Sequence, residues 1–198
     1  MSEPKKPQGE STRAVHGGER ANKESSALAT PIYQTSTFWF RDSAEVRAYA
    51  EGRLERDEYG RYSNPTWRAV ERKLCELEGG ESAVLFASGM AAATTTFLAL
   101  VPQRGHIVVT SDCYRRTRQF IRQYLSKLEV EATVIEPANT SALKAALRDD
   151  TAFFFTESPT NPYLRVIDLP EAARIAHERG VKVIEPDGTP VADATVRV

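Results

Sequence analysis

Cysteine is scarce in this chain. Cys75 and Cys113 are the only two, too few and too far apart for a disulfide framework or a zinc knuckle, so a reducing cytosol is the expected compartment. The three histidines, His16, His106 and His177, lack the spacing of metal ligands, and no metal is expected. Neither charge dominates: 26 basic residues stand against 27 acidic ones. That balance gives neither nucleic acid nor a membrane surface an electrostatic footing. No apolar run is long enough to cross a bilayer. Residues 1–12 are polar and carry no secretory signal core. What is present, 41% hydrophobic residues in 198, suffices for the core of one ordinary soluble domain.

Residues 1–30 are rich in Lys, Glu, Ser, Gly and Pro without periodicity and read as a mobile tail. It leads into an irregular arm, residues 30–40, carrying Tyr33, Phe38, Trp39 and Phe40, aromatics that need a surface to pack on, most simply a partner subunit. Residues 42–56 read as a polar helix. Asn64 and Pro65 then open a helix as N-cap and first residue, with Trp67, Val70, Leu74 and Leu77 on one face and Gly79-Gly80 as its stop. From there strands and helices alternate. Strands are predicted at 82–87, 106–110, 131–135, 151–156 and 181–184. Helices are predicted at 90–101 (apolar nearly all round, hence buried), 114–128 (Ile121, Tyr124, Leu125 and Leu128 inward), 141–148, and from Asp168 to Gly180 behind an Asp-x-x-Glu cap. Short apolar strands separated by helices mean an α/β fold with a mostly parallel sheet covered on both faces. Ligands of such sheets sit beyond the carboxyl ends of the strands.

The turns at those ends carry the candidate residues. Ser88-Gly89-Met90 lets the backbone approach an anion at a helix start, or is a turn that needs glycine only for its dihedrals. Tyr59 and Arg61 could give a phenol and a forked cation to the same phosphate, or lie solvated on a loop. Tyr114 could stack on a flat heteroaromatic ring, or be the first core residue of its helix. Asn161, in Glu157-Ser158-Pro159-Thr160-Asn161-Pro162, could bond a ring hydroxyl or a carboxylate, or simply form the turn. Arg115, Arg116, Arg118 and Arg122 on one helix read as a solvated or intersubunit face.

Taken in order, Tyr-x-Arg-x-x-Asn-Pro-Thr (Tyr59 to Thr66), Ser-Gly-Met (Ser88 to Met90), Asp-Cys-Tyr-Arg-x-Thr-Arg (Asp112 to Arg118) and Thr-Glu-Ser-Pro-Thr-Asn-Pro (Thr156 to Pro162) resemble the Cys/Met-metabolism family of fold type I pyridoxal-phosphate enzymes. The likeness runs over residues 14–184, and its wording is most similar to the cystathionine gamma-synthase branch. Cystathionine gamma-lyases, methionine gamma-lyases and homoserine-ester sulfhydrylases share most of it. The resemblance implies an N-terminal tail and intersubunit arm (1–60), an incomplete three-layer α/β large domain (61–184) and an atypical C-terminal tail (185–198). It implies pyridoxal 5'-phosphate as cofactor, with Gly89 and Met90 amides on its phosphate behind Ser88. Tyr59 and Arg61 would reach the phosphate of the neighbouring subunit in a homo-oligomer with shared active sites. Tyr114 would stack on the pyridine ring and assist proton transfer, Asn161 would bond the ring hydroxyl or substrate carboxylate, and Glu157 would support that loop. The activity implied is transsulfuration in methionine biosynthesis: gamma-replacement of an activated homoserine ester by cysteine.

Two departures accompany the resemblance. Asp187, in Asp187-Gly188-Thr189, stands one residue later than the family's aspartate on the pyridine nitrogen. None of Lys5, Lys6, Lys23, Lys73, Lys127, Lys144 and Lys182 stands in the Ser-x-Thr-Lys setting of the Schiff-base lysine. The expectation is therefore a truncated chain, inactive alone, with an exposed sheet edge that favours self-association. The alternative is a non-catalytic domain that binds the cofactor or a partner.

Overall fold

A computed structural model describes residues 9–18, 27–137, 139–185 and 196–197. The chain divides into two compact units, Met1–Leu85 and Phe86–Val198.

The first unit is helical. Glu10–His16 forms α1, Ser43–Ala50 α2 and Pro65–Glu78 α3. Helix α1 falls inside the stretch expected to be a mobile tail. Seven residues are too few to hold a helix alone, and docking on α3 supplies the rest: Lys73 Nζ donates to the carbonyls of Ala14 and Val15 at 3.1 and 2.7 Å, and Arg13 reaches the Glu76 carbonyl at 3.0 Å. The polar helix is shorter than predicted. It is capped by Asp42, whose side chain accepts the Glu45 amide at 2.9 Å, and ends at Ala50. Helix α3 opens as read, with the Asn64 side chain accepting the Thr66 amide and Gly79 closing it at φ 63°. Val70, Leu74 and Leu77 stay exposed on it. Of the arm aromatics, Phe40 is covered within the unit by Tyr49 (centroids 5.5 Å apart) and by the Arg56 guanidinium 4.3 Å above its ring, whereas Trp39 remains 78% exposed.

The second unit holds a five-stranded parallel sheet in the order β2-β1-β3-β4-β5. Its strands are β1 (His106–Thr110), β2 (Glu131–Ile135), β3 (Thr151–Phe155), β4 (Lys182–Glu185) and β5 (Val196–Arg197). Its helices are α4 (Gly89–Leu100), α5 (Arg115–Gln123), α6 (Thr140–Ala146) and α7 (Leu169–His177). The three consecutive phenylalanines of β3 alternate between faces, as a period of two requires. Phe153 and Phe155 pack with Ile107, Val109, Phe97 of α4 and Ile121 of α5, while Phe154 packs with Val108, Leu143 of α6 and the alanines of α7. These are the three layers of a doubly wound α/β unit. Strand order reverses between β1 and β3, which makes that pair the topological switch point where such sheets take ligands.

Three expectations are corrected here. Residues 82–87 form no strand: they have no strand-pairing partner among the described residues, and the Leu85 amide donates instead to Glu71 Oε1 at 2.9 Å. Helix α4 is not buried all round. It meets the sheet along one stripe, with Phe97 stacked 5.2 Å from Phe153, and leaves Leu98 55% exposed on the other side. The helix predicted at 114–128 stops at Gln123 and tightens into a 3-10 turn, Leu125–Leu128. Tyr124 and Leu128 are exposed there, while Ile121 and Leu125 stay buried.

Candidate functional site

The turns at the switch point are built by caps. Ser88 caps α4, its Oγ accepting the Ala91 amide at 3.1 Å while its carbonyl accepts the Ala92 amide. That leaves the amides of Gly89 and Met90 without a protein acceptor among the described residues, at the positive end of the helix. A Cβ built on Gly89 would meet nothing within 4 Å.

Tyr114 occupies the N-cap position of α5, without a side-chain cap bond, at the end of the turn that follows β1. Its side chain is 44% exposed, which excludes the core alternative, and its backbone amide donates to Glu157 Oε1 at 2.7 Å. Glu157, nearly buried, follows β3, so this one hydrogen bond ties the two strand ends of the switch point together. Thr117, on the first turn of α5, donates to Met90 Sδ at 3.6 Å and joins α5 to the start of α4. The structure thus brings the Ser88-Gly89-Met90 turn, Tyr114 and Glu157 onto contiguous elements. Asn161 lies four residues beyond Glu157 on the turn before α7. Its side chain is exposed and makes no hydrogen bond among the described residues.

Cys113 sits fully buried under this turn. Burial pushes its thiol up to about 12, and the Glu157 charge adds to that against an opposing effect of Arg118, so it is no nucleophile. Asp112, beside it, is 5% exposed, and neither carboxylate oxygen has a hydrogen-bond donor among the described residues. Arg165 is a residue that sequence reasoning missed. Its Nε lies 3.9 Å from Asp112 Oδ2, and its Nη1 donates to Glu136 at 2.8 Å. Nothing local marks it, because both partners come from other strand ends.

Tyr59 and Arg61 belong to the first unit. The arm holds their loop: Phe38 donates to the Glu58 carbonyl at 2.9 Å, Gly60 to the Ser36 carbonyl at 2.6 Å, and Thr37 bridges Tyr59. A Cβ at Gly60 would press to 3.3 Å from the Thr35 carbonyl, so the close approach of arm and loop favours glycine. Asn64 Nδ2 donates to the Tyr33 carbonyl and Thr66 Oγ1 accepts the Tyr33 amide, both at 2.9 Å, locking the start of α3 to the same arm. Arg61 is exposed. Its guanidinium lies 4.9 Å from the centroid of the Tyr59 ring and has no acidic partner among the described residues. A cavity of about 780 Å³ in this unit is lined by Arg13, Arg68, Arg72, Glu71, Glu76 and Cys75 among others, but none of the motif residues lines it. Its mixed charges converge on no single ligand chemistry. Asp187 lies outside the described residues.

The donor set fits a phosphorylated, flat heteroaromatic group. Two unpartnered helix-start amides suit a phosphate, an exposed phenol ring suits stacking, and an unengaged carboxamide suits a ring hydroxyl or a carboxylate. No group of acids, cysteines and histidines able to hold a metal occurs among the described residues, and no helix among them is long and apolar enough to cross a membrane.

Comparison with known proteins agrees with this chemistry. Residues 11–196 match the family described as Cys/Met metabolism PLP-dependent enzyme. The chain is 48% identical over 179 residues to cystathionine gamma-synthase 1, chloroplastic, of Nicotiana tabacum, covering 89% of this chain and 33% of that one. Among solved structures, metB from Corynebacterium glutamicum superposes with a TM-score of 0.81 at 32% identity, covering 91% of this chain and 45% of that one. A putative O-acetylhomoserine (thiol)-lyase from Campylobacter jejuni, determined with N'-pyridoxyl-lysine-5'-monophosphate, superposes at 0.82 with 25% identity and the same coverage. The chain thus spans between a third and under a half of the length of these relatives.

Proposed function

The chain belongs to the Cys/Met metabolism PLP-dependent enzymes, and from that premise we propose that it forms the phosphate- and ring-holding part of a pyridoxal 5'-phosphate site for transsulfuration of the cystathionine gamma-synthase kind. The observation that carries the reading is the switch point itself, where the unpartnered Gly89 and Met90 amides and the Tyr114 ring stand on elements tied by Thr117 and Glu157. When bound, the cofactor supplies an electron sink for charge at the carbon bearing the substrate amine.

The chain's own residues do the holding. Gly89 and Met90 donate amides to the phosphate, with Ser88 fixing the helix start that aims them. Tyr114 stacks on the ring and offers its phenol for proton transfer. Asn161 hydrogen-bonds the ring hydroxyl or the substrate carboxylate. Tyr59 and Arg61 serve the phosphate of a neighbouring subunit, and the resemblance assigns Asp187, outside the described residues, to the pyridine nitrogen. The substrates on this reading are an activated homoserine ester and cysteine: the Cγ–O bond of the ester breaks, the Cγ–S bond forms, and a carboxylate leaves. The tobacco relative's name supports this branch over the lyases and sulfhydrylases. The exposed Ile32 and Trp39 of the arm support a homo-oligomer, and the two free thiols, Cys75 and Cys113, support a reducing compartment, the cytosol on this reading.

None of the seven lysines among these 198 residues stands in a Ser-x-Thr-Lys setting. On our reading this chain alone therefore binds the cofactor without turnover. Titrating the purified chain with pyridoxal phosphate tests both halves. We expect saturable binding, competed by inorganic phosphate, with no stoichiometric borohydride-fixed adduct at any one lysine. Such an adduct would overturn the non-catalytic half, and a lack of saturable binding would overturn the cofactor half.

A further inference from the structure

The turn that carries Asn161 closes on itself. The Thr160 amide donates to the Arg165 carbonyl at 2.9 Å, the Arg165 amide donates to Thr160 Oγ1 at 3.1 Å, and the Leu164 amide donates to the Thr160 carbonyl at 2.8 Å. Thr160 is fully buried and fixes one end of this closed loop. Leu164, 72% exposed, holds a φ of 53°, a left-handed conformation that costs a side-chain-bearing residue about 1 kcal/mol or more. Strain of this kind persists only where the surroundings over-determine the backbone. The burial of Leu164 itself supplies nothing, since its side chain lies in solvent. The restraint comes from the next residue.

The Arg165 side chain leaves the loop and spans two strand ends. Its Nε faces Asp112 Oδ2 at 3.9 Å after β1, and its Nη1 donates to Glu136 at 2.8 Å after β2. Glu136 in turn accepts from Ser111 Oγ at 3.0 Å, so the two strand-end turns are linked beneath the guanidinium. Asp112 needs this cation. A carboxylate 5% exposed and without a hydrogen-bond donor is costly to leave unpaired, and Arg165 is its one salt-bridge partner among the described residues. The two interactions therefore hold each other: the buried acid fixes the arginine, and the arginine fixes the strained loop.

We infer that Arg165 is a positioning residue. By bridging Asp112 and Glu136, it clamps the loop that presents Asn161 beyond the carboxyl ends of β1 and β3. The link to cofactor binding rests on the pyridoxal-phosphate reading above, but the clamp itself does not.

The test combines hydrogen exchange of the 158–167 segment in the ligand-free full chain with a pyridoxal-phosphate titration. The variants are Arg165→Gln, Arg165→Lys, Asp112→Asn and the double variant Asp112→Asn/Arg165→Gln. We expect Arg165→Gln to speed exchange of the Leu164 and Arg165 amides about tenfold and to weaken cofactor binding by about tenfold, as loss of a partly buried ion pair would. Arg165→Lys should recover part of both effects. The double variant should be no worse than Arg165→Gln alone, because the two side chains act as one unit. Unchanged exchange in Arg165→Gln, or equally faster exchange throughout the chain, would overturn the clamp. A loosened loop with unaltered cofactor affinity would overturn the positioning role. Absence of cofactor binding by the unmodified chain, with the loop response intact, would sink the cofactor reading and leave the clamp standing.

Discussion

The Glu157 carboxylate accepts the backbone amide of Tyr114 at 2.7 Å, and so joins the turn after β3 to the turn after β1. A charged acceptor on a helix-start amide does two things. It satisfies a donor that the helix cannot, and it fixes the direction in which the Tyr114 side chain leaves the backbone. The exposed ring is thereby set by a buried acid contributed by the next strand but one in sequence.

Removing that acceptor should therefore cost both stability and ring placement. Glu157→Ala is expected to destabilise the chain by about 2 kcal/mol, the order for a buried hydrogen bond to a charged group. Glu157→Gln, which keeps a carbonyl oxygen, should recover most of it. Urea denaturation midpoints read the difference. Equal loss in both variants would show that the charge, and not the hydrogen bond to Tyr114, is what the fold uses.

Gly89 separates stability from binding. Its added Cβ meets open space, and alanine is a better helix former than glycine, so Gly89→Ala should leave the fold unchanged or firmer by about 0.5 kcal/mol. The same methyl would stand where an anion approaches the Gly89 and Met90 amides, and pyridoxal-phosphate binding should weaken by about tenfold, or roughly 1.4 kcal/mol. A variant that binds as tightly as the parent would remove this helix start from the site.

The two thiols should differ sharply. Cys75 is partly accessible and Cys113 is fully buried. A thiol reagent at neutral pH is expected to label one cysteine quickly and the second only on unfolding. Because the Cys113 thiol ionises near 9.0 when unfolded and at about 12 in the fold, its contribution to stability is complete below about pH 9 and is lost as pH rises from there toward 12. Two equally fast thiols under native conditions would contradict the packing beneath the Tyr114 turn.

Much of this was legible because the local signals and the final environment agree. The residues 106–110 and 151–155 are apolar runs that become central strands, and Asn64-Pro65 and Asp168 are caps whose side chains bond the amides expected of them. Tyr114 could be picked out by its place after a strand, since doubly wound sheets bind ligands there, whereas the strand expected ahead of Gly89 does not form. The failures share one cause, a dependence on distant partners. Residues 82–87 have the composition of a strand but no pairing partner among the described residues. The α1 helix forms because Lys73 of α3 holds its last carbonyls. Arg165 takes its meaning from Asp112 and Glu136, and neither is near it in sequence.

His106 shows how such a distant set acts on stability. The imidazole is fully buried at the start of β1, between Thr133 of β2 and Thr151 of β3, with Nε2 and Nδ1 each 2.8 Å from a threonine hydroxyl. Thr151 Oγ1 already accepts the Arg148 amide at 2.8 Å, which frees its own proton for Nδ1 and leaves Nε2–H to donate to Thr133. A neutral ring is satisfied by this arrangement. Burial, and then the Arg148 charge, hold the ring below its ordinary value of 6.5, against the opposing pull of Asp150 and Glu131. The unfolded chain takes up a proton near 6.5 and the folded chain only at lower pH, so below about pH 6.5 the unfolded state binds more protons. Stability is thus at its full value above that pH and declines as pH falls toward the folded value. His106→Gln, which can still bridge the two hydroxyls but does not titrate, should flatten the difference in stability between about pH 7.5 and about pH 5 relative to the parent. Denaturation curves at the two pH values decide it. Parallel losses in parent and variant would assign the acid sensitivity to the carboxylates instead.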